Sequence, residues 1–420
     1  MRCMELSDFG TRMTSEAGIL QLMDDLGRAL AGEKPLAMFG GGNPAQIPAM
    51  TAAFRTELQA IVADEKRLAA MLGNYDTPQG NSEFIDAIVT LVEREYGWHI
   101  TPQHVAITPG SQSGFFMLYN LLAGETRGTT RKIMLPVVPE YIGYVDQLIE
   151  PDGFVSLRPR IEKLGEHEFK YKVDFDQLNI DRTIAALALS RPTNPTGNLV
   201  TDQEVARLAA LARAHDIPLI LDSAYGLPFP GVIADSATPF FDDMTVLSLS
   251  LSKVGLPSSR VGVFVGPPPL MSALSSANAI INLASPSIGQ CIATRLIASG
   301  DIMQLTRETI QPFYAARAMQ ARAVFEAQFP SELPWRLHVH EGSYFFWLWC
   351  DDAKKTSKQL YEHLKQRRVV VVPGEYFFPG QDVAAWPHAQ QCIRINFARP
   401  DGELEAGAAI LADAIRWMYS

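Results

Sequence analysis

A mainly parallel α/β sheet flanked by helices, joined to a smaller α+β unit, is the fold this sequence predicts. Three observations carry it. From about residue 105, short and uniformly apolar runs recur with glycine- or proline-rich turns and helical stretches between them, the texture of strands buried on both faces. Beyond about residue 328 that rhythm gives way to mixed strand-like and helix-like segments. The chain has 420 residues, too many for one small core and enough for two.

The elements follow in order. Residues 14–32 carry apolar positions at helical spacing and end at Gly32, after which Met38–Pro44 interrupts regular structure with three consecutive glycines. Residues 49–72 and 82–96 predict amphipathic helices. His104–Thr108 predicts a strand, Pro109-Gly-Ser-Gln-Ser a turn, and Phe115–Leu122 a helix. Further strands are expected at Lys132–Val138, Ala185–Ser190, Pro218–Asp222, Thr245–Ser250 and 260–266, with a helix over 202–215. A long helical stretch covers 270–328, then strands at 336–340, 344–350, 368–372 and 392–397 and helices at 357–367 and 402–418. The expected division is a large unit over 45–300 and a smaller one from 1–44 together with 301–420.

Composition excludes several functions. With 36 basic and 46 acidic residues the net charge is −10, and no dense Lys/Arg run offers a face for nucleic acid. No segment approaches the roughly 18 apolar residues of a membrane span, and the first residues lack the apolar stretch of a secretion signal. Cys3, Cys291, Cys350 and Cys392 are scattered without a Cys-x-x-Cys, as in free thiols of a reducing compartment. His338 and His340 alternate as on a strand with no third ligand near, so they predict surface or structural histidines and no metal. A cytoplasmic enzyme without nucleic-acid or membrane partners is expected.

The chemistry gathers around Lys253. It stands in Ser250-Leu-Ser-Lys253, directly after a strand-like run, with Arg260 seven residues on. Upstream lie Asn194, in a Pro/Asn/Gly loop, and Asp222 and Tyr225, in Leu-Asp-Ser-Ala-Tyr-Gly. In open α/β sheets ligands bind beyond the carboxyl ends of the strands. Asn194, Asp222 and Lys253 each follow a predicted strand, so all three are expected at one edge. A lysine, an acid, an amide, a phenol, hydroxyls and an arginine in that order suit pyridoxal phosphate held as a Schiff base. Lys253 would then hold the cofactor and move the substrate Cα proton, while Asp222 pairs with the pyridine nitrogen. Asn194 and Tyr225 would bond the ring oxygen, and Tyr141 would stack on the ring face. Ser250, Arg260 and the helix start at Ser111-Gln112 suit the phosphate. Arg394, a charged residue in the apolar run Cys392-Ile-Arg-Ile-Asn396, suits an α-carboxylate, with backbone amides of the Gly40–Gly42 loop close to it.

With these residues assembled, the chain resembles the class I/II aminotransferases of fold type I, pyridoxal-phosphate enzymes, from about Ser15 to its C-terminal helix. The resemblance implies the same roles for Lys253, Asp222, Asn194, Tyr225, Ser250, Arg260 and Arg394. It also implies that Tyr75, in Asn74-Tyr-Asp-Thr-Pro-Gln-Gly80, reaches the cofactor phosphate of a neighbouring subunit, hence a homodimer with shared active sites. Longer strings, among them Gly40-Gly-Gly-Asn-Pro-Ala-Gln-Ile-Pro48, Pro139-Glu-Tyr-Ile-Gly-Tyr144 and Pro373-Gly-Glu-Tyr-Phe-Phe-Pro-Gly380, are similar to the branch that exchanges amino groups between small aliphatic partners. That branch implies L-valine and pyruvate as substrates, and 3-methyl-2-oxobutanoate and L-alanine as products. The expected side-chain pocket is apolar, near Ile19, Tyr75 and Tyr141, with Gly42, Asn194 and Arg394 binding the rest of the substrate. The lysine-to-arginine spacing of seven departs from the eight commoner in the broad family. An aminotransferase of other aliphatic amino acids or a β-lyase would use the same frame. A non-catalytic sensor would need a DNA-binding module, which the short, non-basic N-terminus does not supply.

Overall fold

The computed structural model describes residues 5–14, 19–20, 23–24, 27 and 36–420. The helix expected over 14–32 lies largely outside the described residues. Strands are numbered in chain order: β1 (Ala37–Met38), β2 (Val105–Thr108), β3 (Gly124–Thr126), β4 (Thr129–Leu135), β5 (Phe154–Ser156), β6 (Arg160–Leu164), β7 (Glu168–Lys172) and β8 (Ile184–Ser190). The second half adds β9 (Leu219–Asp222), β10 (Thr245–Ser250), β11 (Gly262–Val265), β12 (Trp335–His338), β13 (Phe345–Cys350), β14 (Val369–Val370), β15 (Val372–Pro373) and β16 (Cys392–Asn396).

An eight-stranded sheet runs β2-β11-β10-β9-β8-β4-β3, with β5 beside β4. Strands β5, β4, β8, β9 and β10 run parallel to one another. The segment expected at 260–266 forms β11, which runs antiparallel between β10 and β2. The central strands bury both faces. Leu187, Leu189, Leu219, Leu221, Leu247 and Leu249 pack into one core, whereas Ala186, Ala188, Ile220 and Val246 face a second core containing Phe115, Leu118 and Phe264. Alternation at period two divides the apolar run between the two faces. Small alanines on one face admit the helix Ser111–Leu122, whose Phe115 packs edge-on against Phe264.

Register makes the active edge. Ser190, Asp222 and Ser248 are paired across β8, β9 and β10, so three strands deliver their carboxyl ends at one level. The crossover between β8 and β9 contains the helix Asp202–Ala214, started by a capping box in which Thr201 and Glu204 bond each other's backbone amides.

The second sheet is six-stranded, β15-β16-β13-β12-β7-β6. All six residues of β13 are buried, so the aromatic run Phe345–Cys350 is a core strand. Strand β1 pairs with β14, Ala37 opposite Val369, and ties the N-terminal segment to the C-terminal half. The hairpin β6–β7 has no counterpart among the expected elements. Arg160-Ile-Glu-Lys-Leu and Glu168-Phe-Lys-Tyr-Lys alternate charged with apolar residues, and packing against His338, Trp349 and His388 accompanies the burial of Phe169 and Tyr171. This hairpin belongs to the 45–300 stretch by position but to the second sheet by hydrogen bonding.

Three other expectations are corrected. The helix over 49–72 is two, Pro48–Ala63 and Glu65–Gly73, because Asp64 leaves helical geometry and its carboxylate caps the amides of Lys66 and Arg67 at 3.0 and 3.1 Å. The strand over 368–372 splits at Val371, one half joining β1 and the other β16. The strand expected to reach Val138 ends at Leu135, ahead of Pro136, which has no amide for the ladder. Among the described residues no helix is long and apolar enough to cross a membrane, and no group of His, Cys, Asp and Glu is arranged for a metal. His338 is buried, and burial holds its pKa down to about 3, so it is a structural histidine.

Candidate active site

Beyond the shared strand ends lies a cavity lined by Ser111, Gln112, Tyr141, Asn194, Asp222, Tyr225, Ser250, Lys253 and Arg260. Nine residues expected from the sequence thus meet at one place. Phe115, Ser190, Ala224 and Ser252 complete the lining.

Lys253 follows β10 after a short turn. Its Nζ donates to the Gly42 carbonyl at 3.0 Å and lies 5.3 Å from the centre of the Tyr225 ring. Burial, then Arg394 and Arg260, push its pKa down to about 8, with Asp222 opposing. A lysine so placed is uncharged, and therefore nucleophilic, at a far lower pH than an exposed one.

Asp222 ends β9. Its Oδ1 accepts from the Ala224 amide at 2.9 Å and its Oδ2 from the Tyr144 hydroxyl at 2.5 Å. Burial raises its pKa, against those two bonds and the nearby Lys253. It is the one carboxylate among the residues lining the cavity. Tyr144 was not singled out from the sequence. The signal lay in Tyr141-Ile-Gly-Tyr144, whose tight turn sends the two phenols to the same side of the site, ring centres 5.4 Å apart.

Arg394 lies on β16, outside the cavity lining, and reaches the site through Asn194. One guanidinium nitrogen donates to Asn194 Oδ1 at 2.9 Å and another to the Gly40 carbonyl at 2.8 Å, with the plane over the Phe345 ring at 4.2 Å. Its Nε is buried without a hydrogen-bond partner. The glycine loop departs from expectation here: the carbonyls of Gly40, Gly41 and Gly42, not amides, point at Arg394, Asn396 and Lys253. They satisfy donors that would otherwise stand bare, and so position the cations.

The cavity floor by Ser111 depends on two glycines. Gly262 on β11 has no side chain, and a Cβ there would stand 2.5 Å from the Ser111 amide. Gly110 has φ +82°, and a Cβ on it would stand 2.2 Å from the Arg260 guanidinium. The helix start and the arginine therefore share one spot, where the first helical amides have no partner within the helix. Arg260 itself takes a left-handed backbone, φ +50°.

Two expected residues are elsewhere. Tyr75 is 83% exposed and touches no part of this cavity. Ile19 lines a neighbouring hollow with Gln112, Phe116, Gly143 and Ile281.

Lys253, Arg260 and Arg394 form no ion pair with a described carboxylate. An amine kept from its usual charge, beside guanidinium groups that lack a counter-ion, is suited to attack a carbonyl on a ligand that carries anionic groups. Such a site is suited to Schiff-base chemistry. Residues 159–411 match the family Aminotransferase class I and II. The valine–pyruvate aminotransferase of Escherichia coli K12 is 44% identical over 98% of both chains. The crystal structure of valine-pyruvate aminotransferase AvtA from Salmonella typhimurium LT2 superposes with a TM-score of 0.87 at 43% identity, covering 96% of this chain and 99% of that one. A Pyrococcus horikoshii kynurenine aminotransferase in complex with PMP shares the fold, TM-score 0.79, at 20% identity over 99% of this chain and 98% of that one. The chain belongs to the class I and II aminotransferases, enzymes of fold type I that depend on pyridoxal phosphate.

Proposed function

We propose that this enzyme transfers the amino group of L-valine to pyruvate, giving 3-methyl-2-oxobutanoate and L-alanine in two successive half-reactions on pyridoxal phosphate. The observation that carries the reading is the charge of the site: one carboxylate, Asp222, lines the cavity with Lys253 and Arg260, and Arg394 reaches it through Asn194. That balance suits a ligand with a phosphate, a protonated ring nitrogen and one carboxylate.

The cofactor supplies an electron sink for the substrate Cα. Lys253 would hold the cofactor and would move the substrate Cα proton. Asp222, oriented by Tyr144, keeps the ring nitrogen protonated. Asn194 and Tyr225 donate to the ring oxygen, and Tyr141 covers a ring face. Ser111, Gln112, Ser250 and Arg260 hold the phosphate. Arg394 takes the substrate carboxylate, with Asn194 and Gly42 at its side. Arg260 is committed to the phosphate, which leaves Arg394 alone for substrate and favours monocarboxylic, apolar substrates.

The enzyme is proposed to act as a cytoplasmic homodimer, with Tyr75 reaching the partner subunit's phosphate site. Support comes from the surface around Tyr75. Its loop is tied to the 278–290 segment by Ser287 Oγ to Asp76 at 2.6 Å and Asn278 Nδ2 to the Pro78 carbonyl at 2.9 Å. Ile280 in that segment is 86% exposed, and Ile281 and Leu283 are exposed beside it, an apolar patch suited to a second copy.

Two measurements test the reading. In a panel of amino donors with pyruvate as acceptor, valine is expected to be preferred. Smaller aliphatic donors should follow within about 10–200-fold per methylene removed, because an apolar pocket discriminates by only about 1–3 kcal/mol each; preference for aspartate or aromatic donors overturns it. The apoenzyme should capture added pyridoxal phosphate at a rate that rises with pH and levels off near 8, where Lys253 loses its proton. A capture rate still rising through about pH 10, the range of an ordinary lysine, overturns the assignment of Lys253.

A further inference from the structure

Glu140 is a buried carboxyl group beside the cavity that this scheme leaves without a part. It has no exposure and directly precedes Tyr141. Three donors converge on it: the Ser190 amide on Oε1 at 2.7 Å, the Ser190 hydroxyl on Oε2 at 2.5 Å, and the Tyr141 amide on Oε2 at 3.3 Å. Its own amide donates to the Phe377 carbonyl at 2.8 Å, and the Arg394 guanidinium lies 5.3 Å from the Phe377 ring. Ser190 ends β8, and its carbonyl accepts from Thr193 at 3.0 Å in the turn that presents Asn194. One residue thus joins the loop of Tyr141, the strand leading to Asn194 and the platform of Arg394.

We infer that Glu140 is a positioning residue of the cofactor site: it fixes the separation between the Tyr141 and Asn194 walls, and so holds the Asn194 amide where it donates to the cofactor's ring oxygen. The inference rests on the proposed assignment of Asn194 to that oxygen. A carboxyl group is a costly way to fill buried space. Burial raises its pKa to about 8, with Asp222 adding to the rise and the Ser190 bonds opposing it. An apolar pair would fill the same volume without that penalty. What a carboxyl adds is two oxygens that accept from two chain segments at once, each within narrow geometry. Asn194 is already turned by its bond to Arg394, which occupies Oδ1 and leaves Nδ2 as the donor.

The test reads the pH midpoint of the absorbance of the lysine-bound cofactor in holoenzymes of the wild type, E140Q, E140A, N194A and E140A/N194A. A donor to the ring oxygen stabilises its charged form, so the lysine-derived nitrogen gives up its proton more easily; losing that donor raises the midpoint. E140A is expected to raise it by about half a pH unit or more, in the direction of N194A. E140Q keeps one acceptor for the Ser190 amide and is expected to lie between wild type and E140A. The double variant is expected to match N194A, since Glu140 acts through Asn194. A wild-type midpoint in E140A, or additive shifts in the double variant, overturns the inference. If E140A does not fold, E140Q decides, and a wild-type midpoint there is the overturning result. A purely structural role would lower the melting temperature and leave the midpoint in place, which also overturns it. Absence of lysine-bound absorbance in the wild type would instead refute the proposed function itself.

Discussion

Lys253→Ala is expected to lower transamination by at least about 10⁴-fold, the upper end of what a positioned acid–base group contributes, because the same amine binds the cofactor and moves the proton. Lys253→Arg should be equally inactive, since a guanidinium stays protonated and cannot attack a carbonyl. The check is steady-state turnover of valine with pyruvate, together with mass spectrometry of the borohydride-reduced holoenzyme, in which the cofactor adduct should vanish. Turnover within tenfold of wild type would refute the role of Lys253. Stability should not suffer. Lys253 is half-buried, and Arg394 and Arg260 disfavour its charged form more than Asp222 favours it, so alanine removes repulsion along with one bond to the Gly42 carbonyl. A melting temperature equal to or above that of the wild type is expected.

Arg394→Ala should be the most damaging change to substrate binding. A guanidinium on a carboxylate forms two charge-assisted bonds at about 1.5–3 kcal/mol each. At about 1.4 kcal/mol per factor of ten, kcat/KM for valine should fall about 10²–10⁴-fold. The absorbance of the lysine-bound cofactor should persist, because Arg394 is assigned to the substrate and not the cofactor. Arg394→Lys should recover less than about a tenth of the loss, since an ammonium cannot replace the two-pronged donor nor lie flat on Phe345. A kcat/KM within tenfold of wild type in Arg394→Ala would move the carboxylate site elsewhere. Fully buried, with bonds to Gly40 and Asn194, Arg394 is also structural, so a lower melting temperature is expected alongside.

Much of the site was legible because its members mark strand ends. Leu219–Asp222 and Thr245–Ser250 are largely apolar runs that stop at polar residues, and in a parallel sheet such stops face one edge. Asn194, Asp222 and Lys253 were therefore placed together before any coordinates. The helix Asp202–Ala214 was equally legible, since Thr201 and Glu204 spell its start. Strands β6 and β7 were not, because their apolar residues are outnumbered by charges and are buried only by partners far along the chain, among them β12, Trp349 and His388. The same holds for the bonds of Tyr144 to Asp222 and of Glu140 to Ser190, which join residues 78 and 50 positions apart.

The identity of the chemical groups, their order and their common edge were determined by the sequence alone, because hydrophobic periodicity and turn residues act over a few neighbours. What only the tertiary structure decided is their state. Lys253 loses its ordinary basicity by desolvation beside Arg394 and Arg260, and the glycine loop turns carbonyls, not amides, toward Lys253 and Arg394. Desolvation and orientation arise from groups brought together across hundreds of residues, and no local pattern records them.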